Sequence, residues 1–382
     1  MPFEPCRRHV PELLLAFFGL ILLVVSSGSV GGEAGSFLTA ALDVAPFVVL
    51  AMLVYLAGDR HRAFRWTAGI WLLVLVGGIA AATAGFGVIS ILPAEALEAE
   101  ESAPEMVDLA LAAEVAFLLL GVLGAALASL VGFSRRFRVW LARYPPFDPD
   151  SLLHSAALVV ILALTLIPPV PLLVTGVPPY LSPQFIELLT ESGDLLGDTV
   201  TLNAYTLFWT IFGSFFIAGA CVRRTPREAL ERLGLVRPTW REVVLAVVAA
   251  FALVVAFHFI DPALAALVGS LGLPVTDVET VNLLFAGTLT IPGIIVASIT
   301  AGFGEEVSIR GLLQPRFGIL LPALLFASLH AFQYSWDGLI SVFLAGIVFA
   351  CIRKRSNTTT SAITHTIYDL VLFALLMTGI SI

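Results

Sequence analysis

GFGEEVSIRGLL, Gly302 to Leu313, sets two adjacent glutamates and an arginine four residues later between the apolar runs LTIPGIIVASIT (289–300) and GILLPALLFASL (318–329). Both flanks read as membrane helix. An ionised group inside hydrocarbon is costly unless it is paired or hydrated, so three charges in the middle of such a run call for partners, a water-filled cavity, or both.

The chain around this stretch has the same apolar character. Of its 382 residues, 59% are hydrophobic and only 13% charged, against roughly 25% charged in soluble domains, and the mean hydropathy is +0.99. Apolar stretches long enough to cross a bilayer recur near 12–30, 37–57, 66–92, 109–133, 152–174, 200–221, 242–269, 285–314, 318–335, 338–352 and 358–380. The expected fold is therefore an all-α polytopic bundle of about eleven spans. The first span follows Arg7 and Arg8 like a signal peptide, but SSGSVGGEAGS is a weak cleavage site, and the span is read as a mature helix.

The net charge is −8, yet the side of the membrane on which each charge falls is more informative than the sum. Basic residues gather at Arg7/Arg8, Arg60/Arg62/Arg65, Arg135/Arg136/Arg138/Arg143, Arg223 through Arg241, Arg310/Arg316 and Arg353/Lys354/Arg355, which are alternate loops or helix ends. The intervening loops EALEAEESAPEMVD, QFIELLTESGD and PVTDVET carry no lysine or arginine. By the positive-inside rule the N-terminus is inside and the C-terminus outside, as for a multi-pass protein of the cell membrane. The basic clusters are short topology signals, and no nucleic-acid partner is expected. Cys6, Cys221 and Cys351 form no CxxC pair and fall on the reducing side, so neither a disulfide nor a structural zinc site is expected.

The most polar inside connection, VRRTPREALERLGLVRPTWREVV (222–244), reads as a short amphipathic helix followed by a turn at Pro238. It divides a membrane region 1–221 of about six helices, function unassigned, and a linker 222–241 from a core 242–382. In the first region Asp43, Glu114, His154 and Asn203 are isolated in sequence and read as interhelical hydrogen-bonding or lumen-facing groups.

Chemistry concentrates in the last 80 or so residues. Glu306 and Arg310 are four apart and share a helix face, while Glu305 lies about 100° round an α-helix and can point elsewhere. FASLH repeats the spacing with Phe326 and His330, and HTIYD repeats it with His365 and Asp369. Measured from Arg316 and Asn357 as inside edges, Glu305 lies roughly 16 Å deep, His330 roughly 20 Å, His365 roughly 12 Å and Asp369 roughly 18 Å. Groups at matching depth on three helices suit a hydrated cavity in which a carboxylate acts as general base toward water and imidazoles bind that water or donate to an oxyanion. Peptide hydrolysis fits; buried ion pairs that fix packing, or a proton relay, fit the spacing equally. HExxH, GxGD and GxSG motifs are absent.

EE-x3-R, then F-x3-H, then H-x3-D resembles the three-motif signature of the CPBP intramembrane proteases, also called Abi or type II CAAX prenyl endopeptidases. The resemblance covers roughly 242–380. It implies that Glu305 activates a water with His330, that His365 and residue 369 stabilise the oxyanion, and that Glu306 and Arg310 orient the site. Ile309 replaces an aromatic often found before the arginine. Asp369 stands where prenyl proteases commonly have Asn; an ionised aspartate would repel an oxyanion, so it is protonated, holds another group, or helps bind a metal. If zinc is present, the candidate ligands are Glu305, His330 and His365; the resemblance equally permits a metal-free glutamate mechanism. The implied substrate is a membrane-associated or lipidated peptide, with a catalytically silent adaptor or immunity protein and a proton-coupled transporter as the other readings.

Overall fold

The computed structural model describes residues 9–59, 62–92, 109–191 and 199–379. Cys6, Arg7, Arg8, Arg60, the acidic stretch 95–108 and the end of QFIELLTESGD lie outside the described residues. The fold is all-helical, 81% helix, with no strand among the described residues.

The principal helices are α1 (Val10–Ser26), α2 (Ala45–Asp59), α3 (Arg62–Ile89), α4 (Leu109–Ser129), α5 (Leu152–Leu166), α6 (Thr199–Ile217), α7 (Trp240–Ser270), α8 (Ile291–Ile299), α9 (Leu320–Leu329), α10 (Trp336–Arg355) and α11 (Thr358–Met377). Side-chain caps set several starts. Thr239 and Glu242 form a capping box on α7, Thr290 accepts from Gly293 N at 3.1 Å, and Asn357 accepts from Thr360 N at 2.8 Å. The Asn357 amide also donates to Glu242 at 2.9 Å, which ties the starts of α7 and α11 together.

By length and apolar composition, seven helical segments among the described residues can cross a membrane, or eight if the pair Gly32–Asp43 and Ala45–Gly58, bent by 53°, is one span. Two expected spans depart from a single long α-helix. The stretch 318–335 contributes only the ten residues of α9, roughly 15 Å of helix against a hydrocarbon layer of about 30 Å, because the chain turns at His330. The stretch 285–314 is not a uniform α-helix. After α8 the backbone widens into a π-helix over Thr300–Leu313, with Gln314 N bonded back to Ile309 O, the five-residue spacing of that winding.

In the N-terminal half, α2 is buried nearly all round. Val48, Met52, Tyr55 and their neighbours pack against Phe18 of α1, Leu72 of α3, Val159 of α5 and Trp209 of α6, the pattern of a central rather than a surface helix. Two of those helices continue outward: α5 packs on α9, and α6 packs on α8 and the π segment. The π segment in turn lies against α11, and α7 against α10 and α11. Close approach is set by small residues. A Cβ on Gly302 would fall 2.6 Å from Thr366 N of α11. The expected amphipathic helix of the connecting stretch is Pro226–Leu233, and it packs rather than merely links. Arg232 donates to Gly311 O at 3.0 Å and Leu312 O at 3.3 Å, satisfying carbonyls at the end of the π segment.

Candidate active site

The π winding decides how the two glutamates are used. A wider turn rotates less per residue than an α-helix, so neighbouring side chains diverge less. Glu305 and Glu306 consequently both reach the imidazole of His365, where an α-helical reading sends Glu305 elsewhere. Glu306 Oε1 lies 3.2 Å from Nδ1, and Glu305 Oε2 lies 4.0 Å from Nε2. Their surroundings differ. The Glu306 side chain is 0% exposed and that of Glu305 is 34% exposed, facing a cavity of about 980 Å³ that His330, His365 and Asp369 also line.

Glu306 is ion-paired with Arg310, whose Nη1 lies 3.0 Å from Oε1, and it accepts from the Ser361 hydroxyl at 2.6 Å and from His365 Nδ1–H at 3.2 Å. The Arg310 guanidinium, 1% exposed, stacks 4.1 Å from the Phe326 ring centroid and donates to Gly346 O at 3.3 Å. Gly346 makes room for this, since a Cβ there would lie 3.2 Å from the guanidinium. Phe326 thus has two tasks. Its ring covers Arg310, and its carbonyl lies 2.8 Å from His330 Nδ1. A carbonyl only accepts, so Nδ1 carries the hydrogen and Nε2 of His330 keeps its lone pair.

His365 is clamped flat against Phe349, centroids 4.3 Å apart and planes 22° from parallel. With Nδ1–H given to Glu306, its Nε2 confronts Asp369 Oδ2 at 3.4 Å as well as Glu305. Asp369 is in this way a partner of His365. Ser361 completes the stripe Ser361, His365, Asp369 along α11, a signal present in the sequence as two successive i,i+4 steps that the reading of HTIYD left out.

The zinc set does not assemble. Among the described residues no group of three or more His, Cys, Asp or Glu is arranged to hold a metal ion. His365 has carboxylates at both nitrogens.

The N-terminal helices contribute more than the isolated residues suggest. Asp43 and Asn203 line the same cavity, with Phe47, Leu50, Val160 and Leu164 forming an apolar wall. Glu114 lies apart in a shallow cleft beside Leu173, and His154 Nδ1 accepts from Asp148 N at 3.0 Å in a loop. Cys221 and Cys351 are free thiols.

Residues 286–371 match the family model described as type II CAAX prenyl endopeptidase Rce1-like. The matched segment contains all three motifs, and the chain before it lies outside the match. No curated protein and no solved structure matches the chain.

Proposed function

We propose that the chain is an intramembrane endopeptidase in which Glu305 activates a water. The observation that supports this most is the division between adjacent carboxylates: Glu306 is sealed and neutralised by Arg310, Ser361 and His365, while Glu305 opens on the cavity. A water between Glu305 and His330 Nε2 gives one hydrogen to each acceptor. As Glu305 takes the proton, the water oxygen adds to the carbonyl carbon of the scissile amide. The proton then passes from Glu305 to the amide nitrogen as the C–N bond breaks, so atoms and charge balance with water as the only co-reactant. His365, held by Glu306 and Asp369, orients Glu305 from its Nε2 side. The role of oxyanion donor implied for residue 369 is not supported here, because its carboxylate is turned to His365.

The substrate read from this site is a membrane-embedded or lipidated peptide, whose apolar portion would lie along the wall from α2 and α5. The same proposal places the protein in the cell membrane with eleven passes, N-terminus inside. The bent pair, the helix carrying the π segment and the two short apolar helices would be added to the seven long ones. Charge-tagged cysteines in 222–241 and 274–280 should label from opposite sides. A proton-coupled transporter using Asp43 and Glu114 fits less well, because Glu114 is outside the cavity that Asp43 lines. Cleavage of a fluorogenic transmembrane or lipidated peptide by the purified protein tests the reading. Exhaustive chelation should leave the rate unchanged; loss of activity restored by zinc would contradict the metal-free mechanism.

A further inference from the structure

With Asp369 committed to His365, the tetrahedral intermediate lacks the donor that the family resemblance would place at residue 369. Tyr334 offers a donor on the same cavity wall. It follows His330 by four residues, and its ring lies parallel to the imidazole, centroids 6.2 Å apart and planes 19° from parallel. The phenol lines the same cavity as Glu305, His330, His365 and Asp369. Among the described residues its hydroxyl has no hydrogen-bond partner, and the carboxylates that act on it electrostatically are those of Asp369, Glu305 and Asp261.

Its placement is built rather than incidental. The turn after α9 is pinned where Ser335 N donates to Thr276 Oγ1 at 3.0 Å, and Thr276 N and Oγ1 both donate to Asp337 Oδ1 at 2.9 and 2.8 Å. Gly338 leaves room for the ring, since a Cβ there would lie 2.7 Å from the Tyr334 Cβ. A second phenol, Tyr368, also lines the cavity, but its ring packs on Phe257 and Phe349.

We infer that Tyr334 is a catalytic residue whose hydroxyl donates to the oxyanion formed when the Glu305-activated water adds to the scissile carbonyl. The inference rests on the protease reading above. The phenol donates a hydrogen bond and keeps its proton; as the intermediate collapses the carbonyl reforms and the bond relaxes.

The test compares wild type, Tyr334→Phe and Glu305→Gln, purified in detergent, on one fluorogenic transmembrane peptide and on a peptide phosphinate of the same sequence. Phenylalanine keeps the stacking on His330, so melting should match wild type. Tyr334→Phe should lower kcat about 10²–10³-fold with KM little changed, and weaken phosphinate binding by a similar factor while leaving affinity for an uncleavable peptide unchanged. Activity abolished in Glu305→Gln but retained within threefold in Tyr334→Phe overturns the role of Tyr334 alone. Wild-type cleavage no faster than Glu305→Gln removes the protease reading, and Tyr334 with it.

Discussion

The two halves of the molecule are held together by different physics. Before residue 286 the buried polar or charged side chains among the described residues are only Thr83, Ser129, Ser155, Ser182 and Ser214; the rest of that core is aliphatic or aromatic. Within the matched segment Ser298, Thr300, Glu306, Arg310, Gln314, Thr360, Ser361, Thr364 and His365 are all buried. Apolar packing constrains volume, so many sequences satisfy it. A buried polar network constrains atom types and directions, since each unpaired member costs free energy. The first half can therefore diverge while still walling the cavity, and the second cannot change one member without stranding another.

Substitutions can break this contrast or sharpen it. Glu306→Ala should have the largest effect, about 3–5 kcal/mol, because it leaves Arg310 charged and enclosed; denaturant unfolding in detergent would read it. Ser361→Ala removes a donor from the same carboxylate and should cost about 1.5–3 kcal/mol. Gly302→Ala forces a methyl into the Thr366 backbone and should cost about 1–3 kcal/mol, seen as a lowered Tm. In the other half Met52→Leu, at a fully buried site of α2, should cost less than about 1.5 kcal/mol, because volume is conserved. A Met52→Leu loss as large as that of Glu306→Ala would erase the distinction.

What could be read in the sequence follows the same division. EE-x3-R, F-x3-H and H-x3-D announce themselves because charges in an apolar run are rare and their i,i+4 spacing is visible, and the Glu306–Arg310 pair forms at 3.0 Å. The π winding is not legible, since it changes the turn without changing residue types. Hydropathy does not mark the end of α9 after ten residues, because Ala331 and Phe332 continue the apolar character just past the turn at His330. Asp43 and Asn203 gain their place on the cavity from the packing of α5 and α6 on the C-terminal helices, a long-range arrangement that no local pattern records. Ser361 and Tyr334 were within reach, each one i,i+4 step beyond a motif that was read.

The most direct test of the central claim, that adjacent glutamates divide chemistry from structure, is to measure peptide cleavage and melting of Glu305→Gln beside wild type. The amide is isosteric and cannot take a proton from water. The account predicts a rate lower by about 10²–10⁴-fold with melting unchanged. Cleavage at the wild-type rate, or melting lowered as far as in Glu306→Ala, would contradict it.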